Sequence, residues 1–286
     1  VSQIDLSQLP APEIVQQLDA VSVRTRMLNR YAELQQVDSP KPGDPLYFAF
    51  SSMAEEVTRA RQEFQDISLG NMVAFSTGNN LQQLGALRPV EKYDSETDEQ
   101  FRRRVQMAPE GFSTAGAEGA YLFHALNADE NVLDTSVDSP EEVIVNQYIL
   151  SRNGNGAASD ELCRTVYEYV SQAMKRPLSD KYTVFPATII PYRIEAELEM
   201  LSGPGEEQTI AEAEKRLTEL VSQTHILGGT VSLSALSGAI HIKDVDGDAV
   251  FQPVIDVNLI EPQSKIVCNK SQAPFCTGIV VRRKGE

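Results

Sequence analysis

The residues best suited to chemistry lie close together in FRRRVQMAPEGFSTAGAEGAYLFHAL, residues 101 to 126, where three arginines, a serine, a histidine and three glycines stand between two apolar segments. Three chemistries fit such a group: a serine nucleophile with a histidine base, a glycine-rich cradle for phosphate, or an arginine cluster for carboxylates. GFSTAG, Gly111 to Gly116, is one residue longer than the Gly-x-Ser-x-Gly elbow, and a helical segment precedes it where the elbow needs a strand. The glycines at 111, 116 and 119 fit neither Gly-x-Gly-x-x-Gly nor a Walker loop, and no Lys-Ser or Lys-Thr follows them. Ser113 with His124 stays open as an esterase-like alternative, because a nucleophile and its base are joined by position in the fold and not by spacing. The plainer reading is a structural corner: Pro109 ends one helix, the glycines permit tight or left-handed backbone, and Glu118 sits near the positive end of the next helix. Arg102, Arg103 and Arg104 read as a solvated face that, in an acidic chain, can also meet carboxylates of a neighbouring subunit.

Metal chemistry has weaker support. DVDGD, Asp244 to Asp248, alternates oxygens with a glycine, but counting from Asp244 the sixth position is Ala249 where a calcium loop needs Gly, and the twelfth is Ile255 where it needs a bidentate Glu. A polar hairpin tip is the better reading. His124, His225 and His241 have no zinc-like spacing to one another or to Cys163, Cys268 and Cys276. Three cysteines are too few for a disulfide framework; Cys268 and Cys276 are close enough to pair across a hairpin, although reduced thiols suit a cytosolic chain better. No catalytic residue, metal or cofactor is therefore assigned.

The elements that would position these residues can be read from periodicity. Pro12 suits a first helical position, and Ile14, Leu18, Val21, Thr25, Leu28 and Ala32 recur at spacings of four and three, which predicts a helix with one apolar face. SPKPGDP, residues 39 to 45, must interrupt it, and Met53, Val57, Ala60, Phe64 and Ile67 continue the pattern in a second helix. A third, less regular helix follows, broken near Gly78. Such stripes need to pack together or onto a partner. Ser95 with Asp98 resembles a capping box for a short helix in which Phe101, Val105 and Ala108 share a face. EEVIVNQYIL reads as a strand, followed by a helix carrying Leu162, Val166, Val170 and Ala173. Next come YTVFP and IIPYRIEAELEM, the latter with one wet face (Arg193, Glu195, Glu197, Glu199). A helix through Ile210, Ala213, Leu217, Leu220 and Val221 stops at a glycine cap, Gly228 or Gly229; SLSALSGAI makes a further short helix, and VFQPVIDVNLIEP a last strand. The expected fold is α+β, an N-terminal helical region followed by a split β-α-β-β-α-β domain. Its parts are residues 1–92 (helical), 93–262 (α+β core) and 263–286, a C-terminal strand segment that completes the core or contacts a neighbour.

Composition narrows the function classes. The 286 residues include 25 Lys plus Arg against 41 Asp plus Glu, a net charge of -16, and that field repels phosphate backbones and anionic membranes. Nucleic acid is not expected as a partner. No apolar run is long enough to span a bilayer, and the first residues lack the pattern of a signal peptide, so the expectation is a protein made in the cytosol with no membrane insertion. The absence of tryptophan and of internal repeats argues against an adhesin.

Four stretches, IDLSQLPAPEIVQQLD, SETDEQFRRRVQMAPEGFSTAGAEGAYLFHAL, ILSRNGNGAASDEL and IVCNKSQAPFCTGIVV, occur in the order found in the baseplate J-like proteins of contractile-tailed phages. The chain resembles that family from about residue 4 to residue 281, most tellingly in the pairing of APEGFSTAGAEGAY with SRNGNG. The resemblance implies a structural, non-enzymatic wedge protein of the virion tail baseplate, assembled in the host cytoplasm. It would pair with a second copy, join neighbouring wedge proteins, among them a sheath-initiator-like protein and a tail protein of the same wedge, surround the central hub, and couple baseplate rearrangement to sheath contraction. It also implies that the N-terminal helices enter an inter-chain bundle, with Ile14, Leu18, Val21, Leu28, Met53, Val57, Phe64, Arg102 and Arg103 as interface residues. Two segments depart from the family pattern: the region of SVRTRMLNRYAELQQVDSPKPGDPLYF is shorter, and KDVDGDAVFQPVIDV is longer.

Overall fold

A computed structural model describes residues 6, 9–15, 19–172, 174–200, 206–241, 244–246, 249–251 and 253–285, with the backbone alone for 244–246 and 249–251. The chain divides into two compact units, Val1–Ala108 and Pro109–Glu286. The expected first boundary, at 92/93, falls earlier than this division, because the helix that follows it packs back on its predecessor.

In the first unit, α1 spans Ala20–Gln35 and α2 spans Pro45–Leu69. Each begins at an aspartate: Asp19 accepts the N–H groups of Val21 and Ser22, and Asp44 accepts that of Leu46 ahead of a proline in the first turn. The helix expected from Pro12 therefore starts later. Ala11 and Pro12 are not helical, as the residue before a proline is biased to extended geometry, and Pro12–Val15 is instead fastened to α2 by one side chain. The Gln65 amide accepts the N–H groups of Ile14 (3.0 Å) and Val15 (3.1 Å) and donates to the Pro12 carbonyl (2.8 Å). α1 packs on α2 with Val23, Leu28 and Ala54 buried and Tyr31 tilted against Phe50. α3, Gly78–Ala86, packs on α4, Asp98–Met107. The capping box of α4 is Thr97 with Gln100 and not Ser95 with Asp98. Asp98 works elsewhere, binding Lys92 and accepting the Gly78 N–H at 2.7 Å; the Lys92 hydrogen bond, then that of Gly78, lowers its pKa.

The second unit begins within a 3-10 turn at Ala108–Phe112. Its elements are α5 (Glu118–Leu126), β1 (Val132–Asp138), β2 (Ile144–Ser151), α6 (Asp160–Val170), β3 (Lys181–Pro186), β4 (Thr188–Met200), α7 (Glu206–Thr224), β5 (Thr230–Val231), α8 (Leu233–Ile240), β6 (Asp244–Asp246), β7 (Ala249–Phe251), β8 (Val254–Glu261), β9 (Ile266–Val267) and β10 (Gln272–Arg283). The class is α+β. The order β2-α6-β3-β4-α7-β8 matches the expected pattern but is shared between two sheets, β1-β2-β3 and β10-β4-β8. β1 runs antiparallel to β2 and β3 parallel to it; β10 runs parallel to β4 and β8 antiparallel to it.

In the second sheet the alternation of β4 does what the sequence predicts. Ile194, Ala196, Leu198 and Met200 are buried with Ala213 and Leu217 of α7, Leu236 and Ile240 of α8, and Val281 of β10. The opposite face carries Glu195 and Glu197 on Arg282 and Glu199 on Lys284. In the first sheet a glutamine occupies the centre: Gln147 donates to the Tyr121 carbonyl (3.0 Å) and the Thr135 hydroxyl (2.9 Å) and accepts from the Tyr182 hydroxyl. A buried amide satisfied on both ends fixes the strand register against α5. Leu162, Val166 and Val170 of α6 are buried as expected, while Ala173 lies outside the described residues. Asp244 and Asp246 belong to a hairpin, Val245 pairing with Val250; Gly247 and Asp248 lie outside the described residues. Gly228 takes the left-handed cap at φ 72, and all three cysteines are reduced.

Candidate functional site

The corner at residues 109–124 is built for close packing. A Cβ on Gly111 would stand 2.2 Å from the Phe123 ring, and Gly116 has φ 79, where a side chain would also meet Pro177. Ser113 accepts the N–H of Ala115 at 3.4 Å, and His124 is buried on α5 at 6% exposure. Neither ring nitrogen of His124 makes a well-formed hydrogen bond among the described residues, so no Ser113–His124 pair exists. Burial first, and the nearby Lys175 ammonium second, lower its pKa to about 4, against a smaller opposing influence from the Gly111 backbone. A histidine held neutral in this way is a weak base at neutral pH.

That histidine carries a pH prediction. Its folded pKa lies below its unfolded value of 6.5, so the unfolded chain takes up the proton first as pH falls. The stability it permits is complete above pH 6.5 and is lost between pH 6.5 and 4, by roughly 2–3 kcal/mol. Urea midpoints at pH 7 and pH 4.5 should diverge less for His124→Phe than for the natural chain. Equal divergence would mean that other groups set the acid sensitivity.

The arginine trio does not form one face, since consecutive helical residues point about 100° apart. Arg102 donates through Nε to the Val73 carbonyl (2.9 Å) and through Nη2 to that of Ser76 (2.8 Å), and so ties α4 to the loop before α3. Arg103 is exposed. Arg104, expected to be solvated, is buried in an ion pair with Glu96.

The apolar stripes are displaced from the packed faces. On α2, Met53 (54%), Phe64 (55%) and Ile67 (67%) are exposed, Ala60 is exposed and Val57 is half-buried, whereas the buried side carries Ala54 and Gln65, the latter holding Pro12–Val15. The two faces lie about 100° apart around the helix. On the α1 side, Ile14 and Val21 are exposed, Leu28 is buried within the unit and unavailable to a partner, and Leu18 lies outside the described residues. A shallow groove of about 510 Å³ beside α1 is lined by Arg26, Met27, Arg30, Tyr31, Leu34 and Phe50. Sequence reasoning gave the apolar periodicity of α2 but not Gln65, whose burial has no signal in a helix of mixed polarity. Among the described residues no group of His, Cys, Asp and Glu could hold a metal, and no helix is long and apolar enough to cross a membrane.

Comparison with known proteins agrees with the family resemblance. Residues 43–93 match the baseplate J-like N-terminal domain, and residues 113–186 match the baseplate J-like central domain. Baseplate protein J of Escherichia phage P2 is 34% identical over 299 aligned residues, covering 96% of this chain and 95% of that protein. A chain in the cryo-EM structure of the anti-feeding prophage baseplate, six-fold symmetrised, aligns at 10% identity and a TM-score of 0.39, over 63% of this chain and 42% of its own length. Identity of that degree along nearly the whole of both chains in the phage P2 comparison means that this protein belongs to the baseplate J-like family.

Proposed function

We propose that this chain is a structural wedge component of a contractile phage tail baseplate and has no catalytic role. It pairs with a second copy, joins neighbouring wedge proteins, a sheath-initiator-like protein and a tail protein of the same wedge among them, and helps form the ring around the central hub that couples baseplate rearrangement to sheath contraction. Its place is the virion tail baseplate, after assembly in the host cytoplasm. In this reading residues 1–92 supply the inter-chain bundle, residues 93–262 the α+β core, and residues 263–286 the strand that completes it. Family membership supports the class; the observation that carries the mode of assembly is the outer face of α2. Met53, Phe64 and Ile67 expose apolar surface along a long helix whose adjoining face is already packed, and a stripe of that kind is the usual mark of a protein partner. The esterase-like alternative lacks its pair, because Ser113 and His124 make no hydrogen bond and His124 is held neutral.

Electron microscopy of tails carrying this chain tests the reading. Paired copies in a ring around the hub, with α2 between chains, are expected. Copies that stand singly, or an α2 that faces solvent in the assembled ring, would refute the pairing.

A further inference from the structure

We propose that the apolar side of the α1–α2 pair docks on the same side of a second copy of this chain, with α1 of one copy lying over α2 of the other. The proposal rests on the pairing of copies put forward above and adds to it how the two faces meet.

The chain before α1, at Ile14 and Val15, is held by Gln65, whereas Tyr31 near the end of α1 lies against Phe50. α1 therefore runs along α2 in the opposite sense. Their shared groove takes Met27, Tyr31 and Leu34 from α1 and Phe50 from α2, which places it on the Phe50 side of α2. At about 100° per residue, Val57, Phe64 and Met53 lie roughly 20°, 40° and 60° around α2 from Phe50, on the side away from Ala54 and Gln65. The groove thus opens onto the exposed stripe, and both helices contribute to one apolar face.

The two edges of that face differ in charge. Turning outward on α1 from Leu34, about 40° leads to Arg30 and about 80° to Arg26; turning outward on α2 from Met53, about 60° leads to Glu56 and about 80° to Glu63. α1 as a whole carries three arginines against one glutamate, and α2 four acidic residues against two arginines. Arg26 makes no ion pair among the described residues. Glu56 holds Arg59 of its own helix, but with side chains 63% and 68% exposed that pair is worth little in water and is readily exchanged.

A face with a basic edge, an apolar centre and an acidic edge is complementary to itself in one arrangement. A two-fold axis parallel to the helices lays α1 over α2 of the second copy, so each basic edge meets an acidic one; a two-fold across the helices lays α1 on α1 and sets arginine against arginine. The levels along the helices agree as well. Arg26 is five residues before Tyr31 and Glu56 six beyond Phe50, so from the Tyr31–Phe50 contact they stand about 7.5 Å and about 9 Å away in the same direction. Arg26 of each copy then faces Glu56 of the other. An unrelated partner would have to supply both charged edges and the apolar ridge between them, and a second copy already has all three.

Sedimentation equilibrium of the full chain tests the arrangement. A concentration-dependent dimer is expected, weakened about tenfold or more by Arg26→Glu or by Glu56→Arg, since each turns two attractions into two repulsions, and restored to within about threefold when both reversals stand in one chain. Arg26→Gln and Glu56→Gln, with smaller losses, replace any reversal that fails to fold. Glu207→Arg, exposed on α7 outside this face, changes the net charge as Glu56→Arg does and should leave the dimer unaltered. A chain that stays monomeric at its highest soluble concentration, a dimer indifferent to the single reversals, or reversals whose combination does not recover would each overturn the proposal. The pairing itself is judged separately: Met53→Asp with Phe64→Asp dissociates any dimer that buries the stripe, so a dimer broken by those changes yet indifferent to the reversals sinks the arrangement and leaves the pairing standing, and micrographs of assembled tails decide the pairing for a chain that is monomeric alone.

Discussion

Met53→Asp combined with Phe64→Asp should abolish tail assembly and leave the isolated chain folded. Both side chains are more than half exposed on α2, away from the face that carries Ala54 and Gln65, so the folding cost of the substitutions is that of surface positions, about 0.5 kcal/mol each. At an inter-chain seam the same charges are buried without partners. Each such lesion costs about 3–5 kcal/mol, which is roughly 10²–10⁴-fold in affinity. The measurement is complementation of a phage lacking this protein, with plaque counts, micrographs of the lysate and a melting curve of the purified variant. Ala54→Asp is the opposite control, because that position is fully buried in the unit and its variant should fail to fold. Ser113→Ala should give normal plaques. Normal plaques from the double variant would remove the outer face of α2 from the interface, and a Ser113→Ala chain that completes tails without infecting would reopen the hydrolase.

The same helix shows what periodicity can and cannot give. A four-three spacing of apolar residues fixes which face is apolar, and it did so for Met53, Val57, Ala60, Phe64 and Ile67. It does not say whether that face turns to the chain's own core or to another chain. In the first unit the core of α1 and α2 is assembled from Val23, Leu28, Ala54 and a glutamine, a set with little contrast against its surroundings. In the second unit the alternation of β4 and the stripes of α6 and α7 were legible because those elements bury one face against a large core of their own. β1 was not legible. VLDTSVD carries three polar residues that tertiary partners satisfy: Asp134 accepts the Leu227 N–H, Thr135 donates to the Tyr148 carbonyl, and Ser136 reaches the Lys270 carbonyl. The corner was read correctly as packing, since its glycines serve close approach, and Arg103 is exposed as read, whereas Arg104 was misread because its burial depends on Glu96 arriving from another turn of the chain.

That buried pair carries the largest expected loss of stability. Arg104 and Glu96 have side chains 4% and 1% exposed, and the guanidinium meets both carboxylate oxygens, at 2.7 Å from Nε and 2.6 Å from Nη2. It also donates to the Glu91 carbonyl and lies 4.1 Å from the centre of the Tyr93 ring. Glu96→Ala leaves a guanidinium in this setting with its charge unmatched, which should cost about 3–5 kcal/mol, a large part of a domain's usual 5–15 kcal/mol. The chain has no tryptophan, so the urea transition is best followed by far-UV circular dichroism and by exchange of the amides in residues 78–107. Replacing both partners, Glu96→Leu with Arg104→Met, should cost less than Glu96→Ala alone, because neither charge is then left behind and apolar groups of similar volume fill the space. The comparison separates two accounts of the pair. If the charge itself were the source of stability, removing both members would cost at least as much as removing one; if the cost comes from stranding a buried charge, the double variant recovers much of the loss, and only that second outcome agrees with a pair this well enclosed.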